Sequence, residues 1–314
     1  MKSILVTGGA GFVGSHLCRA LLGKGFSIVA IDNLSNGIRS NVHSDVVLLE
    51  EDLSKDTWHS LLDAYIFDAV IHCAAQASNA MSFEDPEQDW KSNQISTWNV
   101  INFCKKKSIK RLIFTSTMSI YGEPCKIPTP VSEPPTPLTY YAAHKAVAET
   151  YLKLSSGINW TVFRLYTTYG SGQNLANLNQ GLIKIYLGFI LRDEPITVRG
   201  SGERLRDIIH VSDVVQAIIL SLENAKTYKQ TYNLGSGTTK KVSEIIELLL
   251  KAAGKDTNYP VVYERGDLGD PRTTYADIKN ATDDFGWRPL VMPDDGIALT
   301  VKQYLDFTNN KDKE

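Results

Sequence analysis

Short runs rich in β-branched residues recur along the first half of the chain with helical stretches between them, and this alternation restricts the fold more than any other feature. Residues 3–7, 27–31, 46–49, 69–72, 111–116 and 160–165 read as strands. Between them, segments such as 14–23 and 98–106 place apolar residues at three- and four-residue intervals, the spacing of an amphipathic helix. Strand-helix alternation favours an α/β fold with a doubly wound parallel sheet, because parallel neighbours need a crossover and a helix supplies it. From about residue 167 the rhythm is less regular, with Gly170, Gly172, a loop through Asn179 and a long apolar helix over 182–191. A chain of 314 residues, 43% of them hydrophobic, is long enough for one large domain or two joined parts. The expected division is residues 1–166, with later segments returning to them, and a smaller irregular α/β part over 167–314. Open parallel sheets bind ligands beyond the carboxyl ends of their strands, so the chemistry is expected where the two parts meet.

The first strand runs straight into Gly8-Gly9-Ala10-Gly11-Phe12-Val13-Gly14, with Gly8, Gly11 and Gly14 three residues apart. Such glycines let a backbone turn tightly and approach a pyrophosphate at a helix N-terminus, where free N–H groups favour anions. Glycines also serve ordinary turns, so context decides. Asp32 closes the second strand, 18 residues after Gly14, where a carboxylate accepts hydrogen bonds from adenosine ribose hydroxyls and repels a 2′-phosphate. The pattern is that of a Rossmann dinucleotide site, and it selects NAD over NADP, with Arg39 the one nearby feature that points the other way. Asp52, after the third strand, is placed either to reach the adenine edge or, with Ser54, to cap a helix.

The remaining composition excludes more than it proposes. Thirty-three Lys and Arg against 35 Asp and Glu give a net charge of −2, with no general attraction to nucleic acid or an anionic membrane. Cys18, Cys73, Cys104 and Cys125 are widely spaced, lack the pairing of a zinc or redox motif, and read as reduced thiols, so no metal is expected. The N-terminal apolar run is too short and glycine-broken for a signal peptide or membrane span, which leads to an expected cytoplasmic location. The polar end over 309–314 is expected to fray.

Tyr141-Ala-Ala-His-Lys145 adds a reactive pair, since residues four apart share one helix face. A free tyrosine has a pKa of roughly 10, so a phenolate base near neutrality needs positive charge beside it, and Lys145 with an oxidised nicotinamide supplies that charge. Tyr140 has no lysine four residues on and is assigned to packing or substrate contact. With this element the sequence resembles the extended short-chain dehydrogenases/reductases, especially nucleotide-sugar epimerases of the UDP-galactose 4-epimerase type. The landmarks span nearly the whole chain: TGGAGFVG at 7–14, DNLSNG at 32–37, HCAAQ at 72–76, Ser116-Thr-Met-Ser-Ile-Tyr-Gly122, YAAHK, RDIIHV at 206–211, YNLGSG at 232–237 and YADIKNA at 275–281.

The resemblance implies NAD held by Gly8, Gly11, Phe12, Val13, Asp32, Asn33, Asp52, Leu53, Ala74, Ala75, Thr115, Tyr141 and Lys145. Asn93 is expected to pack a loop there, Ser116 shares the position beside the dinucleotide with Thr115, and His72 is expected to be a satisfied, half-buried histidine. The resemblance also makes Thr117 the hydroxyl that bonds the reacting sugar oxygen, with Ser119 a second contact, and Tyr141 the group that takes the C4 hydroxyl proton. Dehydratase relatives carry an Asp-Glu pair where this chain has Met118-Ser119, which disfavours loss of water. Arg206 matches the arginine that grips the substrate pyrophosphate, a task suited to a guanidinium; Arg204 and Arg272 are candidate assistants.

Three positions depart from the family pattern. Asp267 falls where an arginine is usual, with Arg265 or Arg272 as replacements; Thr167 replaces an asparagine near the diphosphate; and Arg199 stands where relatives place an aromatic residue against the base. Thr274 occupies the place of a bulky tyrosine, which leaves room for a larger sugar, and Asn174, Asn177 and Asn179 offer polar contacts or ordinary turns. The implied activity is NAD-dependent epimerisation of a nucleotide-linked sugar at C4 through a transient 4-keto sugar. A nucleotide-sugar 4-dehydrogenase or 4-ketoreductase, a uronic-sugar decarboxylase and a non-catalytic NAD-sensing protein are the alternatives. By the same resemblance the partners are a nucleotide-sugar substrate and a second copy of the chain, paired through a four-helix interface that includes the Tyr/Lys helix, in the service of cell-envelope polysaccharide building.

Overall fold

The computed structural model describes residues 2–311, apart from 176, 179, 257, 267 and 268. Asn179 and Asp267 therefore lie outside the described residues, as do 312–314. β1 (Ser3–Thr7), β2 (Ser27–Asp32), β3 (Val47–Glu50), β4 (Ala69–His72), β5 (Arg111–Thr117) and β6 (Asn159–Leu165) join a seventh strand, Gln230–Leu234, in one sheet. Across the sheet the order is Gln230–Leu234, β6, β5, β4, β1, β2, β3, and every pair is parallel. The chain builds outward from β1 to β3, then crosses to β4 on the other side of β1 and builds outward again. That reversal opens a crevice beyond the carboxyl ends of β1 and β4, where an open sheet takes its ligand.

The strands are apolar almost throughout because both faces of the sheet are covered. Ile4 and Val6 face a core shared with Leu17 and Leu21 of the helix Phe12–Leu22 and with Val214 and Ile218 of Val211–Ser221. Leu5, between them, faces the opposite core with Trp58, Val100, Phe103 and Leu152, as the two-residue period of a strand requires. A third core lies in the later part of the chain, where Leu182–Leu191, Val242–Ala252 and Pro293–Lys311 bury Leu187, Leu249 and Val301. Short strand pairs, such as Thr167–Tyr169 with Ile208–His210 and Ile196–Arg199 with Val261–Glu264, cover it.

The six expected strands agree with the structure to within a residue, and the 182–191 helix agrees at both ends. Two expectations need revision. The helix expected over 98–106 continues a helical run that begins at Pro86 and passes through a wider turn over Lys91–Ile95. Its start is set by Asp85, which accepts the Gln88 N–H at 2.9 Å, with Pro86 in the first helical position. The exposed Trp90 and Trp98 interrupt the apolar periodicity and hide the run from the sequence. At the far end, the last helix runs through 309–311, which the sequence analysis assigns to a polar tail.

The helix Tyr140–Lys153 is capped by Thr139, whose hydroxyl accepts the Ala142 N–H at 3.1 Å. Its buried stripe holds Tyr141, Lys145, Ala148, Glu149 and Leu152, so two charged residues sit on the inner face. Glu149 is answered by Arg164 on β6 in a two-pronged pair, Nε to Oε1 at 3.0 Å and Nη2 to Oε2 at 2.7 Å. Ser116 on β5 donates to the same carboxylate at 2.7 Å. Burial alone would raise the Glu149 pKa, but the guanidinium and the serine hydroxyl hold it below the usual range. Breaking such a pair strands a buried charge, so Glu149→Ala is expected to cost about 3–5 kcal/mol. Joint replacement by Glu149→Leu and Arg164→Met is expected to recover much of that loss in denaturant unfolding.

Candidate active site

Gly8 lies at φ +70°, a conformation glycine adopts without penalty, and a Cβ there would sit 2.6 Å from the Ala74 backbone nitrogen. A Cβ on Gly14 would meet the Gly8 carbonyl oxygen at 2.0 Å. The loop is therefore closed to side chains at two of its three spaced glycines. Gly11 caps the helix Phe12–Leu22 with no side-chain bond to its first turn, which leaves N–H groups of that turn available to an anion. This bare, tightly packed turn fits a dinucleotide diphosphate.

Asp32, 8% exposed, accepts the N–H groups of Ala10 at 3.0 Å and Leu34 at 2.9 Å. Burial pushes its pKa up against these two bonds. Arg39 pairs with Glu50, both exposed. Asn33 bonds the Ser35 N–H and hydroxyl, and Asp52 accepts the Ser54 N–H at 2.9 Å in a local turn, so neither Asp52 nor Ser54 caps a helix: the next one begins at Trp58, after Thr57. Leu53 is buried in the core, Ala75 is exposed, and the Ala74 N–H donates to the Thr7 hydroxyl at 3.3 Å. Thr115 donates to the His72 carbonyl at 3.3 Å. His72 itself is bonded on both ring nitrogens, to Thr7 at 2.6 Å and Thr97 at 3.0 Å, and burial lowers its pKa to about 3, so it is a satisfied neutral histidine, buried more completely than expected. All these positions lie at or just beyond the carboxyl ends of β1 to β5.

Thr117 ends β5, and its side chain lies close enough to the Tyr141 hydroxyl to favour its ionised form. The same Thr117 oxygen accepts the Ser119 N–H at 3.1 Å, which fixes its rotamer. Tyr141 is buried, and burial raises its pKa to about 12. One turn on, Lys145 is 1% exposed, with Nζ 4.0 Å from the centre of the Phe114 ring. Among the described residues no carboxylate forms an ion pair with it, and burial lowers its pKa to about 7. Tyr140 is nearly half exposed and packs edge-on against Phe83, so only Tyr141 turns toward Thr117.

On the later part of the chain, Arg206 is 3% exposed and donates to Asp270 at 2.7 Å, and Arg204 pairs with the same carboxylate. Burial draws the Arg206 pKa down to about 10. Two guanidinium groups sharing one carboxylate leave a unit of positive charge for an anion. Arg272 contributes backbone bonds while its side chain is exposed, Thr167 opens a short strand, and Arg199 is exposed at the end of another. Asn36, Asn41, Asn174 and Gln173 line a solvent-open cleft of ≈ 320 Å³ between the glycine loop and the 172–184 segment. Asn177 donates to Asn36 at 2.9 Å at its edge. Thr274 lines a second cleft with Met118, Thr129 and Tyr166.

Sequence reasoning passed over two features. His144 bonds the buried Asp89 at 2.6 Å, and Gln76 and Asn93 complete that carboxylate's shell. Lys184, the one charged residue in the apolar helix Leu182–Leu191, is 4% exposed and lines the larger cleft; a lone charge in an apolar helix was the available signal.

Sheet, glycine turn and the buried Tyr141–Thr117 pair together define an α/β dinucleotide enzyme of the short-chain dehydrogenase/reductase kind. The model of the NAD dependent epimerase/dehydratase family matches residues 4–235, and the chain belongs to that family, with NAD as its cofactor. It is 31% identical over 302 residues to the UDP-glucose 4-epimerase of Corynebacterium glutamicum, covering 91% of this chain and 90% of that one. It is 30% identical over 318 residues to UDP-glucuronic acid decarboxylase 1 of Danio rerio, covering 96% and 72%. The crystal structure of the UDP-glucose 4-epimerase of Thermotoga maritima with UDP-glucose superposes with a TM-score of 0.93 at 33% identity, covering 98% of this chain and 99% of that one.

The Lys145 shift has a thermodynamic consequence in the cofactor-free protein. Its folded pKa of about 7 lies below the ordinary 10.5, so the unfolded chain holds more protons between those values and stability rises with pH across that window. Below about pH 7 the cost of burying the ammonium is fully present. Lys145→Met is therefore expected to raise the unfolding temperature at about pH 6 and to lose most of that advantage by about pH 10, as thermal melts of cofactor-free protein will show.

Proposed function

We propose that the protein is a nucleotide-sugar 4-epimerase, a reading carried by the buried hydroxyl pair Tyr141–Thr117 with Lys145, which has no ion-pair partner among the described residues, one turn away. Thr117 orients the sugar C4 hydroxyl, and Tyr141 takes its proton and later returns one. Lys145 lowers the cost of the phenolate by placing positive charge on the same helix face. NAD, when bound, supplies the hydride acceptor that gives a transient 4-keto sugar and the donor that reduces it from the other face. Gly8, Gly11, Phe12, Val13, Asp32 and Asn33 hold the dinucleotide, together with Asp52, Leu53, Ala74, Ala75 and Thr115 along the strand ends. Ser119, Thr167, Arg199, Arg206 and Arg272 face the nucleotide sugar. Residues 1–166 with the returning strand thus form the NAD part, and 167–314 mainly the sugar-nucleotide part.

Met118 and Ser119, which offer no acid or base for elimination, support epimerisation over loss of water. The small Thr274 in the cleft beside Met118 supports a sugar larger than glucose. Purified protein incubated with UDP-, GDP-, CDP- and dTDP-sugars is expected to yield a C4-inverted product of unchanged mass by NMR and mass spectrometry. A product two mass units lighter with NADH would instead establish a 4-dehydrogenase, and release of carbon dioxide from a uronic sugar a decarboxylase. Tyr141→Phe is expected to lower kcat by roughly 10²–10⁴-fold.

A homodimer is part of the same reading. Trp90, Trp98, Tyr140 and Val147 are exposed on two neighbouring helical runs, with Trp98 edge-on to Tyr151 at 5.5 Å. An apolar aromatic stripe of this kind suits the same stripe on a second copy. Trp98→Asp is expected to convert dimer to monomer in sedimentation velocity. No described helix is long and apolar enough to cross a membrane, and a cytoplasmic location and a role in polysaccharide building belong to this proposal.

A further inference from the structure

Lys184 is the buried cation that the proposed reaction does not use. It is the third residue of the helix Leu182–Leu191, 4% exposed, and the one charged residue of that otherwise apolar helix. Other buried cations are answered within the protein: Arg111 by the carbonyls of Ser221 and Leu222, Arg164 by Glu149, Arg206 by Asp270. Among the described residues Lys184 has no hydrogen-bond or ion-pair partner, and burial alone moves its pKa, down to about 8. An unpaired buried charge is costly, so a site that keeps one has something to pair it with.

The cleft that Lys184 lines shows what that is. One wall is Ala10 and Phe12 of the glycine loop with Asn36, and the other is Gln173, Gln180 and Lys184. Among the described residues no carboxylate lines it, and Lys184 is the one charged residue that does. The walls are tied across the opening by Asn36 to Gln180 at 3.0 Å and by Asn41 to the Gly172 carbonyl at 2.9 Å. The helix carrying Lys184 starts after Gly181 without a side-chain cap, so its N-terminal dipole adds to the ammonium.

We propose that Lys184 is a diphosphate-binding residue whose ammonium pairs with phosphate oxygens of a ligand seated between the glycine loop and the Leu182–Leu191 helix. A lysine suits this role as a mobile point charge with three donors. The inference rests on the reading of the glycine loop as the NAD site. Both the dinucleotide and the nucleotide sugar carry a diphosphate, and the position of Ala10 and Phe12 on the glycine loop favours the dinucleotide as the source.

The test compares wild type, Lys184→Met and Lys184→Arg by the NAD carried through purification, the rate of NAD loss on dialysis at rising salt, and the affinity of the holoenzyme for UDP. Lys184→Met is expected to lose NAD roughly tenfold faster with a weakened salt dependence, Lys184→Arg to stay near wild type, and UDP affinity to be unchanged. Unaltered NAD loss with roughly tenfold weaker UDP binding would support the diphosphate role with the nucleotide sugar as its source. Loss of neither would overturn the inference while leaving the NAD site in place. A wild type that neither carries nor binds NAD would overturn the dinucleotide reading and the dinucleotide assignment of Lys184 with it. Misfolding is separated by thermal melts of nucleotide-free protein, in which removal of an unpaired buried charge is expected to leave Lys184→Met at least as stable as wild type.

Discussion

The ion pair between Glu149 and Arg164 sits behind the candidate site and fixes almost everything in front of it. Taking both charges out of water costs several kcal/mol per ion, on the order of what their attraction returns, so the pair holds only if its geometry and remaining hydrogen bonds are complete. Here they are: Ser116 bonds the carboxylate, Tyr121 and the Val131 carbonyl accept from the guanidinium, and Tyr121 donates onward to Asn233 on the returning strand. Glu149 lies one turn beyond Lys145 and two beyond Tyr141, so locking Glu149 sets the rotation of the helix about its axis. Ser116 precedes Thr117, so the same carboxylate also sets the end of β5. The Tyr141–Thr117 contact is the consequence of a helix and a strand being registered by one buried charge.

That arrangement is complete within the protein, whereas the two buried lysines are not. Lys145 and Lys184 are each nearly without solvent, and among the described residues neither forms an ion pair with a carboxylate. Pairing them internally would stabilise the empty fold and cancel the charge a ligand needs. Leaving them unpaired transfers part of the folding free energy into ligand binding, because the cost of burial is relieved when an anion or a phenolate arrives. The buried pair of Arg164 with Glu149 shows that the fold has the means to neutralise a buried cation where no ligand is required.

How far the sequence revealed this depends on the range of the interaction. The strands were legible because burial on both faces makes each a continuous apolar run, and the glycine spacing was legible because the clash it avoids, Gly14 against Gly8, lies within one turn. Tyr141 and Lys145 were legible as a pair because a helix converts a spacing of four into a shared face. The resemblance added Thr117, and the structure brings its side chain to Tyr141. Contacts made across the sheet or between the two parts were not legible. Nothing local to Arg164 names Glu149 as its partner, and Arg206 gives no sign that it shares Asp270 with Arg204. Lys184 was hidden for the opposite reason: its helix reads as a core helix, and only the placement of the glycine loop against it turns a stray charge into part of a cleft.

On the proposed reading, in which Asp32 faces the adenosine ribose, the contacts around it build a cofactor preference. A carboxylate at Asp32 opposes a 2′-phosphate only if it stays charged and no cation compensates it. Its two oxygens are held by the Ala10 and Leu34 N–H groups, which favour the charged form against burial. Arg39, the nearby residue able to reverse the preference, is paired with Glu50. Gly37 closes over the same oxygens so tightly that a Cβ there would lie 2.7 Å from Oδ1. A 2′-phosphate would therefore meet a fixed negative charge, a neutralised arginine and a packed loop together. On that reading the NAD preference belongs to this ring of contacts, of which Asp32 is only the part visible in the sequence.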